Sequence, residues 1–161
     1  MGIYLNPGCS RYLEAVSSNI YVDKTEMIKY TNSVIGTEQK YICVSRPRRF
    51  GKTITAAMLC AYYDRNIDSK SIFNERYIYT KCPGYDNSGF INQYDVISVN
   101  MQDFLSATGN VTGMLEKLQV EIGWEIEKEF GDISFFNKHS IEPNAARYLL
   151  PVKKTIYYNN R

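Results

Sequence analysis

The stretch Val44-Ser45-Arg46-Pro47-Arg48-Arg49-Phe50-Gly51-Lys52-Thr53 constrains the fold of this 161-residue chain more than any other. It follows the apolar run Tyr41-Ile42-Cys43-Val44 and leads into Ile54-Thr55-Ala56-Ala57-Met58-Leu59-Cys60-Ala61-Tyr62-Tyr63. A buried strand, a basic turn and a helix are expected in that order. Such a succession sets the unpaired N–H groups and the positive dipole end of a helix against whatever the turn holds, and an anion is the natural ligand. Gly51-Lys52-Thr53 matches the tail of G-x-x-x-x-G-K-[ST], the phosphate-loop pattern. The head departs from it, because Arg46 stands where the first glycine belongs.

Within that pattern each residue type has a task. Gly51 allows close backbone approach, Lys52 supplies a point charge for the β- and γ-phosphates, and Thr53 offers a hydroxyl to Mg²⁺. Arg46, Arg48 and Arg49 add positive potential, each with a guanidinium that can grip phosphate with two parallel bonds. The expected nucleotide-binding set is therefore Arg46, Arg48, Arg49, Phe50, Gly51, Lys52, Thr53 and Ile54, with Thr53 also on the metal and no catalytic residue assigned. ATP and Mg²⁺ are the expected cofactors.

Elsewhere the chain alternates helical and strand signals. Arg11 to Val16 reads as a short helix. Asp23 and Glu26 have the spacing of a capping box before a helix from about Lys24 to Val34, which Gly36 ends. Lys40 to Ser45 is the strand expected to feed the loop, and Thr53 to Tyr63, rich in small apolar helix formers, the helix expected to leave it and pack on a sheet. Asp64 to Gly89 carries Pro83-Gly84 and many Asn, Ser and Asp residues, so a surface connection with a short helix near Ser69 to Phe73 is expected. Tyr94 to Met101 has the β-branched run of a buried parallel strand.

Val111 to Phe130 places Val111, Met114, Leu115, Leu118, Ile122 and Ile126 at spacings of three and four, an amphipathic helix whose Glu and Lys face reads as solvated. Ser134-Phe135-Phe136 is a short apolar patch, Glu142 to Leu150 a small helix, and the last ten residues a polar, frayed end. Three segments follow: an N-terminal segment with a helix over 1–39, a loop-bearing core over 40–130 and a short tail over 131–161.

Composition excludes several classes. A net charge of +2 is too small to imply nucleic-acid binding by itself, and 44% hydrophobic residues suit one soluble domain with a core. Cys9, Cys43, Cys60 and Cys82 are scattered without a C-x-x-C pair, which argues against zinc and fits a reducing compartment. Cys43 and Cys60 fall in apolar runs, where cysteine behaves as a small buried hydrophobe. No stretch reads as a signal peptide or membrane span, so a cytoplasmic, membrane-free protein is expected.

The strings Tyr21-Val22-Asp23-Lys24-Thr25, Tyr41 through Thr53, Tyr94-Asp95-Val96-Ile97 and Met101-Gln102-Asp103-Phe104 resemble the AAA-ATPase-like family of prokaryotic P-loop proteins. The resemblance spans most of residues 1–130, and R-P-R-R-F-G-K-[ST] is its specific signature. It implies that arginine replaces the first loop glycine as a rule. It also implies an α/β fold, a P-loop NTPase-like parallel sheet flanked by helices, here incomplete relative to a full AAA core. Family members are usually longer and carry a PD-(D/E)XK nuclease-like domain. Residues 131–161 offer no matching carboxylate and lysine spacing, so nuclease activity is not expected.

No four-residue apolar run after the loop ends in Asp-Glu. Val96-Ile97-Ser98-Val99-Asn100 ends in an amide, Asp103 falls beyond it, and the segment resembles the family's strand before Walker B, so the Walker B acid reads as missing and the chain alone is expected to hydrolyse ATP poorly or not at all. Leu149 to Lys154 resembles a family segment that lies after Walker B, which makes the chain a shortened or internally deleted member; a chance match over six residues is the other reading. Binding of ATP through a variant Walker A loop is the leading expectation. Two alternatives stay open: a basic-loop nucleic-acid-binding module using Arg46, Arg48, Arg49 and Lys52, and a vestigial P-loop that serves protein interaction. A homo-oligomer or another protein remains open as a partner.

Overall fold

The computed structural model describes residues 2–85 and 89–131, and the backbone of 155–160. In chain order the elements are α1 (Ser10–Val16), α2 (Glu26–Val34), a 3₁₀ turn (Glu38–Lys40), α3 (Lys52–Tyr63), α4 (Lys70–Asn74) and α5 (Tyr77–Lys81). They continue with β1 (Asp95–Asn100), α6 (Met101–Thr108), α7 (Val111–Phe130) and β2 (Thr155–Asn160).

Helix α3 is the centre of the molecule. Every residue from Thr55 to Tyr63 is buried, as a helix that is apolar on all sides must be. Tyr12 of α1, Ile28 of α2, Phe73 of α4, Ile78 of α5 and Val96 of β1 close around it. The rings interlock: Tyr12 stacks on Phe73 at 5.5 Å, and Tyr62 meets Phe73 edge-on at 5.3 Å. Each such pair adds roughly 0.5–1.5 kcal/mol beyond simple burial. Buried phenol oxygens need partners, and α2 supplies them. The Tyr63 hydroxyl donates to Asn32 Oδ1 at 2.6 Å and meets Thr31 Oγ1 at 2.6 Å, while Asn32 Nδ2 donates to the Tyr62 oxygen at 3.1 Å.

The expected parallel sheet flanked by helices is not what the described residues build. The described residues are mostly helical, and their one ladder is β1 paired in parallel with the backbone of β2, Asp95 opposite Thr155 through Asn100 opposite Asn160. Residues 41–47, which hold most of the strand expected over Lys40 to Ser45, join no ladder among the described residues, and Tyr41 is 83% exposed. A parallel strand is stable only with neighbours on its edges and helices on its faces. Among the described residues the run at 41–44 has no strand on its edges and its side chains are exposed, so its β propensity goes unused.

Three smaller expectations also change. The connection over 64–89 is no mere surface excursion, because Phe73, Ile78 and Tyr85 are buried in the α3 cluster. The frayed C-terminal end instead contains β2. Cys60 is buried as expected, whereas Cys43 is exposed. The apolar patch at 134–136, the small helix at 142–150 and the segment 149–154 lie outside the described residues.

Strand β1 separates two clusters. Val96 faces α3, and Ile97 packs with Leu5 and Ile126, as the two-residue period of a strand requires. Asn6 seals the strand's start from a left-handed backbone conformation, φ 50°. Its N–H donates to the Val96 carbonyl, its Oδ1 accepts from the Val96 N–H, both at 2.8 Å, and its Nδ2 donates to Asp95 Oδ1 at 3.0 Å. Arg65 Nε bonds the same carboxylate oxygen at 2.7 Å.

Helix α7 has its expected bounds, with Asn110 Oδ1 accepting from the Gly113 N–H at 2.8 Å as the cap. Its acidic face is not wholly solvated. Glu125 is 8% exposed and accepts from the N–H groups of Ile3, Tyr4 and Leu5 at 2.7, 2.9 and 2.7 Å. One turn earlier, Glu121 accepts from the Tyr4 hydroxyl at 2.6 Å.

The tyrosines give the fold an alkaline limit. Burial pushes the Tyr12 and Tyr63 phenols well above their ordinary value of 10.0, and desolvation together with the Glu121 bond raises Tyr4 to about 12. Folded values above unfolded ones mean that this stability is fully present below pH 10.0 and is lost as pH rises through the folded values. Alkaline titration is expected to show two classes of tyrosine, the second ionising only as the far-UV circular dichroism collapses. Complete ionisation with the helical signal intact would contradict this.

Candidate functional site

The loop begins where the chain leaves the 3₁₀ turn and ends where α3 starts. Gly51 is the residue before the helix, and it is left-handed, φ 74° and ψ 23°. Arg49, two residues earlier, also has a positive φ of 69°, a conformation that costs a non-glycine residue about 1–2 kcal/mol. At Gly51 the positive φ disfavours any side chain, and an added Cβ would also lie 2.8 Å from Lys24 Nζ, the end of a flexible side chain that would have to move aside.

Lys52 turns back across the loop, and its Nζ donates to the Arg46 carbonyl at 2.6 Å. Residues 46–52 are thereby closed into a ring by a single ammonium group. Arg46, Arg48 and Arg49 are exposed, and none forms an ion pair among the described residues. Three arginines with no carboxylate partner among the described residues, just before a twelve-residue helix, fit a polyanionic ligand and fit a cationic one badly.

The first turn of α3 divides the expected site between two cavities. Ile54 faces one of about 410 Å³, together with Arg49, Phe50 and Gly51 from the loop. Thr53, rotated about 100° around the helix axis from Ile54, faces another of about 300 Å³ lined also by Arg11, Cys60, Asn100 and Asp103. The structure thus brings Asp103 to the same cavity as the Thr53 hydroxyl, although the sequence sets it beyond the strand. Asn100 Nδ2 donates to Asp103 Oδ2 at 2.8 Å, and Asn100 Oδ1 caps α6 through the Gln102 N–H at 3.2 Å. Burial pushes the Cys60 thiol in that wall up to about 11, which keeps it protonated and unreactive at neutral pH.

Lys24 is the site residue that sequence reasoning missed. Its Nζ donates to the Phe50 carbonyl at the tip of the loop. The neighbours on either side hold it there. Asp23, expected to cap α2, spends one carboxylate oxygen on the Thr25 N–H and the other on the Tyr77 N–H, both at 2.8 Å. Thr25 Oγ1 accepts from the Ile78 N–H at 2.9 Å. Asp23 and Thr25 therefore satisfy the orphan N–H groups that begin α5, and the lysine between them points to the loop. The only sequence signal was the quoted string Tyr21 to Thr25, whose acidic residue reads locally as a helix cap.

No helix among the described residues is long and apolar enough to cross a membrane. A family model described as Predicted AAA-ATPase matches residues 9–156, a span that includes Lys24, the loop and Asp103. No curated protein and no solved structure matches the chain.

Proposed function

This chain belongs to the AAA-ATPase-like family, and from that premise we propose that it binds ATP with Mg²⁺ through the loop Arg46 to Thr53. The ring closed by Lys52 on the Arg46 carbonyl carries the reading, because it holds an ammonium group over the loop at the mouth of α3. In the proposed complex Lys52 exchanges or shares that carbonyl for phosphate oxygens. Arg46, Arg48 and Arg49 supply further donors from the exposed side, and Gly51 lets the backbone approach. Lys24 braces the loop tip from behind.

Magnesium, when bound, neutralises phosphate charge. In this reading Thr53 would hold it, and Asp103 and Asn100 line the same cavity as Thr53. Hydrolysis is outside the proposal. No four-residue apolar run after the loop ends in the Asp-Glu pair that an ATPase of this class uses, and β1 itself ends in the amide of Asn100.

A ligand that binds only the folded state must raise stability, by roughly 2.7 kcal/mol at one hundred times its dissociation constant. Thermal unfolding with ATP and Mg²⁺ is therefore expected to shift upward by several degrees, and with AMP by far less. A melting temperature indifferent to ATP, with or without the metal, would overturn the proposal.

A further inference from the structure

Two ammonium groups hold the loop, and each takes a different carbonyl: Lys52 Nζ that of Arg46, and Lys24 Nζ that of Phe50. The Lys24 bond fixes a direction as well as a position. A peptide unit is planar and trans, so its carbonyl and N–H point in opposite directions, and the oxygen lies on the same side as the next Cα. Lys24 meets both groups on that side. Its Nζ bonds the Phe50 carbonyl and would lie 2.8 Å from a Cβ on Gly51. Apart from the adjoining residues, only Lys24 atoms come within 4 Å of that point among the described residues. The Gly51 N–H is therefore turned away from Lys24, and it donates to no group among the described residues.

Nothing local imposes that direction. Turning the peptide over exchanges its two dipole ends, and Gly51, lacking a Cβ, accepts either arrangement at little cost. Phe50 stands between two left-handed residues, Arg49 at φ 69° and Gly51 at φ 74°, an alternation of the kind that gathers successive N–H groups around an anion. A reversed peptide would present the Phe50 carbonyl to the phosphates in place of the Gly51 N–H, a repulsive dipole for an attractive one. We infer that Lys24 is a positioning residue for anion binding, which holds the Phe50 carbonyl and so keeps the Gly51 N–H free for the ligand. This role rests on the phosphate-loop reading and adds to it a residue that acts through the backbone without touching phosphate. Lys24 is anchored outside the loop that it orients, since Asp23 and Thr25 on either side of it bond the N–H groups of Tyr77 and Ile78.

The test compares wild type, Lys24→Met and Lys24→Arg. Affinities for ATP and for inorganic tripolyphosphate are read by displacement of a fluorescent ATP analogue, and the Gly51 amide is followed by nuclear magnetic resonance as tripolyphosphate is added. Lys24→Met is expected to lose about tenfold for both probes. Its melting temperature without ligand should barely change, because the bond it deletes is exposed. Lys24→Arg, which keeps a charged donor, should recover most of the affinity. In wild type the Gly51 amide should move downfield as the probe saturates, and in Lys24→Met at saturation most of that shift should be absent. Binding by Lys24→Met equal to wild type overturns the positioning role. So does weaker binding that keeps the full downfield shift, which would make Lys24 a direct phosphate contact. A loss that comes with a falling melting temperature and is not recovered by Lys24→Arg overturns it as well. Each of these results leaves the phosphate loop standing, whereas failure of wild type to bind either probe overturns both.

Discussion

Glu125→Ala is expected to lower the free energy of unfolding by roughly 3–4 kcal/mol, a large share of the 5–15 kcal/mol typical of a domain. Its carboxylate accepts from three successive N–H groups, those of Ile3, Tyr4 and Leu5. Charge-assisted bonds of this kind contribute about 1.5–3 kcal/mol each, and deleting the acceptor strands buried donors at a further cost. Water can reach the outermost of the three, which keeps the total below their simple sum. Glu125→Gln should cost about half as much. Its one carbonyl oxygen can serve the Tyr4 and Leu5 donors, which share Oε2, while its NH₂ faces the Ile3 N–H. Urea midpoints for the two variants check the order, and an alanine variant as stable as wild type would show that the anchor is not made.

Lys52→Ala is expected to weaken ATP binding by about tenfold to 150-fold, the range implied by losing one charge-assisted bond of about 1.5–3 kcal/mol to phosphate. Two functions go with the side chain: the charge that meets phosphate and the bond that keeps Arg46 folded over the loop. Lys52→Arg separates them in part. It keeps the charge but presents a planar fork where a compact point donor closes the ring, so an intermediate loss is expected. Titration of a fluorescent ATP analogue measures all three proteins, with circular dichroism confirming that the helices persist. Binding by Lys52→Ala within about twofold of wild type would place the phosphates away from this loop.

The parts of this molecule that were legible in the sequence are those whose cause is local. Helices α3 and α7 follow from apolar spacing and end groups that sit within the elements themselves. The need for Gly51 follows from the loop pattern, and the left-handed conformation found there supplies its reason. The strand expected over Lys40 to Ser45 failed because a parallel strand depends on partners distant in sequence, and residues 41–47 join no ladder among the described residues. Glu125 was misread for a similar reason. Nothing near it in the chain says that the N-terminal segment will lay three N–H groups on its carboxylate. Asp23 shows the same limit in miniature, since its spacing predicts a cap for the next helix and its second oxygen caps one more than fifty residues away.

By itself, the sequence determined that a basic loop ending in Gly51-Lys52-Thr53 precedes an apolar helix, because glycine, lysine and helix propensity act within a few residues of where they stand. Tertiary structure decided what surrounds that loop. Burial of α3 on every side drew α1, α2, α4 and α5 around it in place of a broad sheet. Those helices carried Lys24 to the loop tip, and β1 and α6 brought Asp103 to the cavity that Thr53 lines. Side chains from remote segments meet only when the apolar surface between them is removed from water, and that is a property of the packed molecule.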